Sequence, residues 1–471
     1  MRLCEVIGRH ATLLPCLAFL LLVTASCAPH IADMSLVREE MARGNYECAH
    51  SLLKEGDEDD VLYLMEKGLL SHYAGLFSES NEAFERAEML ADDLYTKSIS
   101  REAAALLTSD LVLDYPGSDM ERAMIHFYRA LNYINLGMAE DALVESRKLS
   151  QRLVVVREER EGKRTYYDDP FLQYVSGLLY EWGGEPNDAL ISYRAADRLY
   201  SELGSEYGVV PPPTLKCDIE RTAKAVGIAP WEDEASAVSP LPAEDALKRL
   251  DKGCARSEGY GEVVLILELG FVAHKEELVL HIPILEDETS LAESYDEDFY
   301  LGLADRAYGY DVAGREVAYV LSVAIPHHVH KKPLARSGLL DVGEARVETV
   351  RTQDLSAVAG RNLNERMPRI LAKTAARAAV KYLAKEKAED KWGGFVGALF
   401  DIAGSATEHA DTRSWLSLPS EIHLARLPLP AGTYDASLRL LGRDGDAVET
   451  VDFGRIEVIE ADITFLHHRG P

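Results

Sequence analysis

Cysteine is scarce in this chain, with six in 471 residues, and its placement rules out a cysteine-stapled scaffold. Cys4 and Cys16 fall in an N-terminal leader and Cys27 at the leader's end, which leaves Cys48, Cys217 and Cys254. An odd count argues against a disulfide framework. Cys217 and Cys254 would pair only in an oxidising compartment, and Cys48 suits a small core position. Positive charge is also in short supply. Fifty Lys and Arg stand against 79 Asp and Glu, for a net charge of −29. Nucleic acid demands a basic footprint, so nucleic-acid partners are not expected. Long apolar runs are absent: the two most apolar stretches, 11–23 and 393–404, are shorter than the ~20 residues a membrane-spanning helix needs. There is no G-x-S-x-G, H-E-x-x-H, P-loop or G-x-G-x-x-G. No catalytic residue and no cofactor is therefore assigned, and a non-enzyme is expected. His327, His328 and His330 lie close in sequence, but no cysteine or carboxylate stands near them at ligand spacing. Lys331 and Lys332 would also repel a cation, so no metal is expected.

What is present begins with the leader. Arg2 and Arg9 flank a charged start, an apolar stretch follows, and Thr24-Ala25-Ser26 supplies small residues before Cys27. Residues 1–26 read as a secretory signal peptide. The stretch resembles the lipobox of bacterial lipoproteins, with Thr24 where that pattern usually has leucine. The resemblance implies lipidation (a palmitate-type acyl anchor) at Cys27. Ala28 after the cysteine, rather than aspartate, implies the outer membrane in a two-membrane envelope.

Three later stretches share one spacing. Gly68–Gly75–Ser80–Phe84–Ala87, Ala130–Gly137–Ala142–Ser146–Leu149 and Gly177–Gly184–Ala189–Tyr193–Ala196 are each spaced 7, 5, 4 and 3 residues apart, and Gly44–Ala49–Leu53 is a half copy. Small residues recur where two helices would cross closely, with a turn glycine between them. This is the signature of stacked helical hairpins, an architecture that offers binding surface rather than chemistry.

The period of apolar residues divides the rest. Residues 27–210 read as a helical array, with an extra helix expected over 98–113. Pro211-Pro212-Pro213 stops the helices. The segment 211–261 reads as one closing helix at 214–227 followed by an acidic, Pro-rich linker. Over 262–414 the period shifts to two, with strands expected at 262–269, 277–285, 316–325 and 345–352. A long basic helix is expected over 367–391, Pro368 sitting near its start. Residues 415–471 read as a β module with a hairpin at Gly442-Arg443-Asp444-Gly445. The expected fold class is therefore multidomain α+β: an N-terminal all-α hairpin array, a mixed α/β region with one long helix, and a small C-terminal β module.

The copies resemble tetratricopeptide repeats in spacing and residue type. In such repeats the first helix of each pair lines a concave groove. The resemblance implies a protein-binding groove formed by Met65, Leu69, His72 and Tyr73, by Phe127, Leu131, Ile134 and Asn135, and by Tyr174, Leu178, Glu181 and Trp182. Ordinary inter-helix core and a groove filled by the chain's own segments are the competing readings of the same residues. A second candidate surface is the stripe Arg369, Lys373, Arg377, Lys381 and Lys385 on the long helix. It suits phosphate headgroups or an anionic glycan, or a solvated face paired with the acidic runs 286–288 and 296–298. Asp411, Arg413 and Trp415 form a polar-aromatic junction that reads as an Asp–Arg pair, with a stacked ring, locking two modules together.

The stretches YPGSDMERAMIHFYRALNYINLGMAEDALVESRKL (115–149) and ADTRSWLSLPSEIHLARLPLPAG (410–432) resemble a little-characterised family of bacterial envelope lipoproteins with tetratricopeptide-like repeats. The resemblance implies a lipid-anchored scaffold facing the periplasm, with an envelope protein as partner and a role in cell-wall or envelope biogenesis. The alternative is a peripheral membrane- or glycan-contacting protein that uses the basic helix.

Overall fold

The computed structural model describes residues 34–53, 56–105, 113–159, 169–228, 258–285, 317–392 and 409–471. Within these, the side chains of 95–105, 154–159, 281–285, 317–322 and 375–392 are outside the description. Residues 1–33, and with them Cys27, are also outside it, as are the linker 229–257, the acidic runs and the segment 393–408.

Among the described residues nine helices build the array: α1 (Ser35–Ala42), α2 (Tyr46–Leu52), α3 (Val61–Tyr73), α4 (Phe77–Ala105), α5 (Asp119–Asn135), α6 (Ala139–Glu159), α7 (Pro170–Trp182), α8 (Pro186–Tyr207) and α9 (Leu215–Val226). The spacing rule has a direct steric basis. A Cβ on Gly68 would lie 2.6 Å from the Phe84 ring, and one on Gly177 would lie 2.5 Å from the Tyr193 ring. Glycine on the first helix makes room for an aromatic on the second, so the helices cross in contact. The middle copy reaches the same crossing with Ala130 and Ser146. Gly75, Gly137 and Gly184 take φ of +76°, +70° and +76°, the left-handed turn each hairpin requires. α5 opens with a reciprocal capping box between Ser118 and Glu121. α7 opens with Pro170 behind an Asp169 cap.

After the array come β1 (Tyr260–Leu269), β2 (His274–Leu285), β3 (Val317–Val329), β4 (Ser337–Val342), β5 (Ala345–Glu348) and β6 (Val350–Asp354). The helix α10 (Leu355–Trp392) and strands β7 (Glu421–Pro430), β8 (Gly432–Leu441), β9 (Ala447–Val458) and β10 (Ile463–Gly470) complete the chain. One sheet has the order β10-β1-β7-β6 and a second the order β5-β4-β8-β9, while β2 and β3 pair as a separate two-stranded arm. The strands of 415–471 are thus completed by β1, β4, β5 and β6 from the preceding region.

β1 explains the layering. Its alternate residues Val264 and Ile266 join the core of the helical array, while Val263, Leu265, Leu267 and Leu269 join the core shared with the second sheet. A strand buried on both faces reads as a continuous apolar run. The molecule is therefore layered as array, sheet and sheet, with β1 in the middle layer.

Several boundaries differ from expectation. No helix begins at 98, because α4 runs unbroken from Phe77 to Ala105. The segment 345–352 is split into β5 and β6. The long helix starts twelve residues before 367, which places Pro368 inside it. Asp354 sets that start by accepting the Ala357 amide at 2.8 Å.

Candidate interaction site

Most of the twelve residues expected to line a groove are buried, in the core that the array shares with the chain's own sheet. Met65, Leu69, Phe127, Tyr174 and Leu178 are wholly buried, and Leu131 and His72 nearly so. Trp182 packs edge-on against Phe465 of β10 with ring centroids 5.7 Å apart. Ile134 packs against the same core. Asn135 is exposed and only closes its own helix, its amide donating to the Leu131 carbonyl at 2.8 Å. Glu181 accepts from Arg221 at 2.6 and 2.8 Å and from Tyr193 at 2.9 Å. An outside partner cannot reach the buried members of this set while the sheet is in place.

Two buried polar clusters pin sheet to array, and both grow from β1. Glu262 and Glu268 point to the same face as Val264 and Ile266. At one end Arg426 donates to Glu262 at 2.8 Å, to Asp218 at 2.8 Å and to the Tyr174 hydroxyl at 2.7 Å. Burial alone would lower the Arg426 pKa, but Asp218 and Glu262 drive it well above its usual value. At the other end Glu268 accepts from the Tyr73 and Tyr128 hydroxyls, each at 2.6 Å, and bonds His467 at 3.0 Å. Burial would raise this carboxyl, yet His467, Arg469 and Tyr128 hold it down at about 2. Beside it His72 bonds Asn132 at 2.6 Å, and burial, with His467 nearby, lowers its pKa to about 4. A third link comes from the segment before β7: the Leu416 amide donates to Glu66 at 2.8 Å and the Trp415 amide to Glu121 at 2.7 Å. The sequence signal for this lock was the pair of glutamates six residues apart in an apolar strand, which alternation places on one face.

The basic helix is only partly described. Arg369 is exposed and Lys373 half-buried, and both have partners. Arg366, one turn earlier, reaches Asp119 at 3.3 Å. Arg377, Lys381 and Lys385 lie on α10 with side chains outside the description. The junction pair forms as expected, with Arg413 chelating Asp411 at 2.9 and 3.0 Å. Its guanidinium sits 5.3 Å from the Tyr115 ring centroid, so the stack is on Tyr115 and not on Trp415.

Among the described residues one group could hold a cation: Glu88, His126 and Glu145 converge. Arg129 reaches Glu88 at 2.9 Å and Glu145 at 3.2 Å, and Lys148 reaches Glu88 at 3.1 Å. Two cations already satisfy these carboxylates, so the group reads as an ion-pair network. Of the three sequence-adjacent histidines, His330 bonds Ser420 at 2.9 Å, while His328 lines a cavity of about 280 Å³ beside Lys275, Asn362 and Ser414. No described helix is long and apolar enough to cross a membrane.

No protein-family model matches the chain. No curated protein matches it. Among solved structures, the chain is similar to a crystal structure of kinesin light chain nearly identical TPR-like repeats from Podosopora anserina. The identity is 13%, over 47% of this chain and 92% of that one, with a TM-score of 0.29.

Proposed function

We propose that this chain is a non-catalytic, lipid-anchored scaffold of a bacterial envelope, which holds a protein partner with the outer surface of its helical array. The observation that carries this reading is the occupied inner face. The chain spends its concave side on its own sheet, so contact with a partner falls to the other surfaces. On the second helices of the hairpins Met89, Val144 and Ile191 stand 67%, 44% and 60% exposed. Val144 and Ile191 occupy the same repeat position, seven residues after Gly137 and Gly184. Apolar side chains standing in water on repeat helices suit a protein contact. Placement outside the cytoplasm is supported by the leader-like N-terminus, by the lipobox-like run before Cys27, and by the disulfide at Cys217. Its expected partner Cys254 is outside the described residues.

The test is photo-crosslinking in cells, with the probe placed in turn at 191, 144 and 182 and Cys27 intact. Positions 191 and 144 are expected to trap one dominant envelope protein, and 182 only the chain itself through Phe465. A partner trapped from 182, or none from 191 and 144, overturns the outer-surface reading.

A further inference from the structure

The cavity beside Lys275 is built unlike the clusters that lock the array. It lies between the β2–β3 arm, the first turns of α10, the N-terminal end of α5 and the segment 409–415, and encloses about 280 Å³. An apolar cavity of roughly 150 Å³ already admits a six-carbon ring, so this one has room for about ten non-hydrogen atoms. Val272, Ala324, Met120 and Trp415 form an apolar floor.

The polar groups on its wall are short of partners. The Lys275 ammonium has three donors but makes one hydrogen bond, to the Arg413 carbonyl at 2.8 Å. Neither nearby carboxylate hydrogen-bonds to it, although both act on its charge at longer range and the Tyr115 ring centroid lies 5.8 Å away. Glu121 accepts from the Tyr115 hydroxyl at 2.6 Å and from the Ser118 and Trp415 amides at 2.6 and 2.7 Å. Asp411 is chelated by Arg413. Asn362 is 7% and Ser414 8% exposed, yet Asn362 Oδ1 and Ser414 Oγ have no hydrogen-bond partner. Buried polar atoms without partners are uncommon and costly, and call for an account.

We infer that this cavity binds a small amphipathic carboxylate, its head on the Lys275 ammonium and its apolar body against Val272, Ala324 and Trp415. One ammonium with donors to spare offers a monoanion its head-group contact. Arg366, the second cation at the rim, is already engaged with Asp119 and opens to solvent, with 45% of its side chain exposed. The Ser414 hydroxyl and the Asn362 amide, whose oxygen and nitrogen exchange on a flip, complete the head-group shell. The inference is independent of outer-surface docking, since no residue lining the cavity belongs to α4, α6 or α8, the helices that carry Met89, Val144 and Ile191.

The chain without its leader is titrated with octanoate, 1-octanol and acetate by calorimetry. Octanoate is expected to bind saturably at one site. Octanol, which lacks the charge, and acetate, which lacks the body, are expected to bind at least tenfold more weakly. Lys275→Met should weaken octanoate at least tenfold while keeping a cooperative melt, and Ala324→Phe, which fills the floor, should abolish binding. Absence of saturable octanoate binding by the parent chain overturns the proposal. So does octanoate binding that Lys275→Met leaves unchanged, or octanol binding as tight as octanoate.

Discussion

Arg426 and Lys275 are both cations held inside this molecule, and their surroundings differ in kind. Arg426 meets two carboxylates and a tyrosine hydroxyl, with both guanidinium edges used. Lys275 hydrogen-bonds only one backbone carbonyl, beside the Tyr115 ring, and burial lowers its pKa against the pull of Asp411 and Glu121. A buried charge with full compensation holds a structure together. A buried charge without it is a standing cost, retained where something else completes it. The same contrast separates the Glu268 cluster, where every acceptor is used, from the cavity wall, where Asn362 and Ser414 keep orphaned atoms. The difference distinguishes groups that assemble the fold from groups that await a ligand.

The largest effect is expected where compensation is complete. Arg426→Met would take from Glu262 the guanidinium that chelates it, and from Asp218 one of the two arginines that pair with it. Removing one partner of a buried pair costs about 3–5 kcal/mol, so urea denaturation at pH 7 should show a loss of that size. Replacing Glu262 by Met as well should recover part of it, because the carboxylate that Arg426 chelated is then gone as well. A loss under about 1 kcal/mol would mean that the cluster does not hold sheet to array.

Acid tests the other end of the lock. Glu268 has a folded pKa of about 2, against an ordinary value of 4.5. Its contribution is present above 4.5 and is lost as pH falls toward 2, which amounts to about 3 kcal/mol. His72 and His468, both lowered to about 4 by burial, keep their contribution above 6.5 and lose it as pH falls through 4. Asp169 works in the opposite direction. Burial raises it to about 6, so its protonation between pH 6 and 3.8 favours the folded state and offsets part of the histidine loss. Glu268→Gln should be less stable than the parent at pH 7 by about 3 kcal/mol, with the gap closing toward pH 2. A gap that stays constant across that range would show that Glu268 is not the ionised acceptor of the cluster.

The hairpins were legible because their cause is local. A glycine or alanine facing a larger side chain across one turn, with a left-handed glycine between the helices, leaves a spacing that recurs in the chain. The occupant of the inner face left no such mark. Arg469 reaches Tyr73 across 396 positions, and Trp415 reaches Glu121 across 294. A groove residue and a buried lock residue look alike until the partner strand is placed. Glu262 and Glu268 were the available clue, since charges in a doubly buried strand must find partners somewhere. The early start of α10 was hidden because Gly360 and the run 361–366, polar except for Leu363, weaken the helical pattern, although the Asp354 cap was there to be read. The cavity could not be foreseen, because an orphaned atom is defined by neighbours that only the fold assembles.

The smallest expected effect has the opposite sign, and it sets the two cations against each other most directly. Lys275→Met keeps an unbranched side chain of similar length and removes the charge. The Arg413 carbonyl loses its donor, a cost of about 1 kcal/mol for one hydrogen bond. Against this, the molecule no longer desolvates an ammonium that no carboxylate hydrogen-bonds, a penalty of several kcal/mol for a fully buried ion and less for one half-buried at a cavity. The net expectation without ligand is a gain of about 1 kcal/mol, read from the urea midpoint at pH 7 with an unchanged slope. Saturating octanoate should reverse the order, because it stabilises only the chain that binds it. If Lys275→Met instead destabilises the free chain as Arg426→Met does, Lys275 is compensated within the protein. The two regions would then be of one kind, and the cavity would lose its reason to be a binding site.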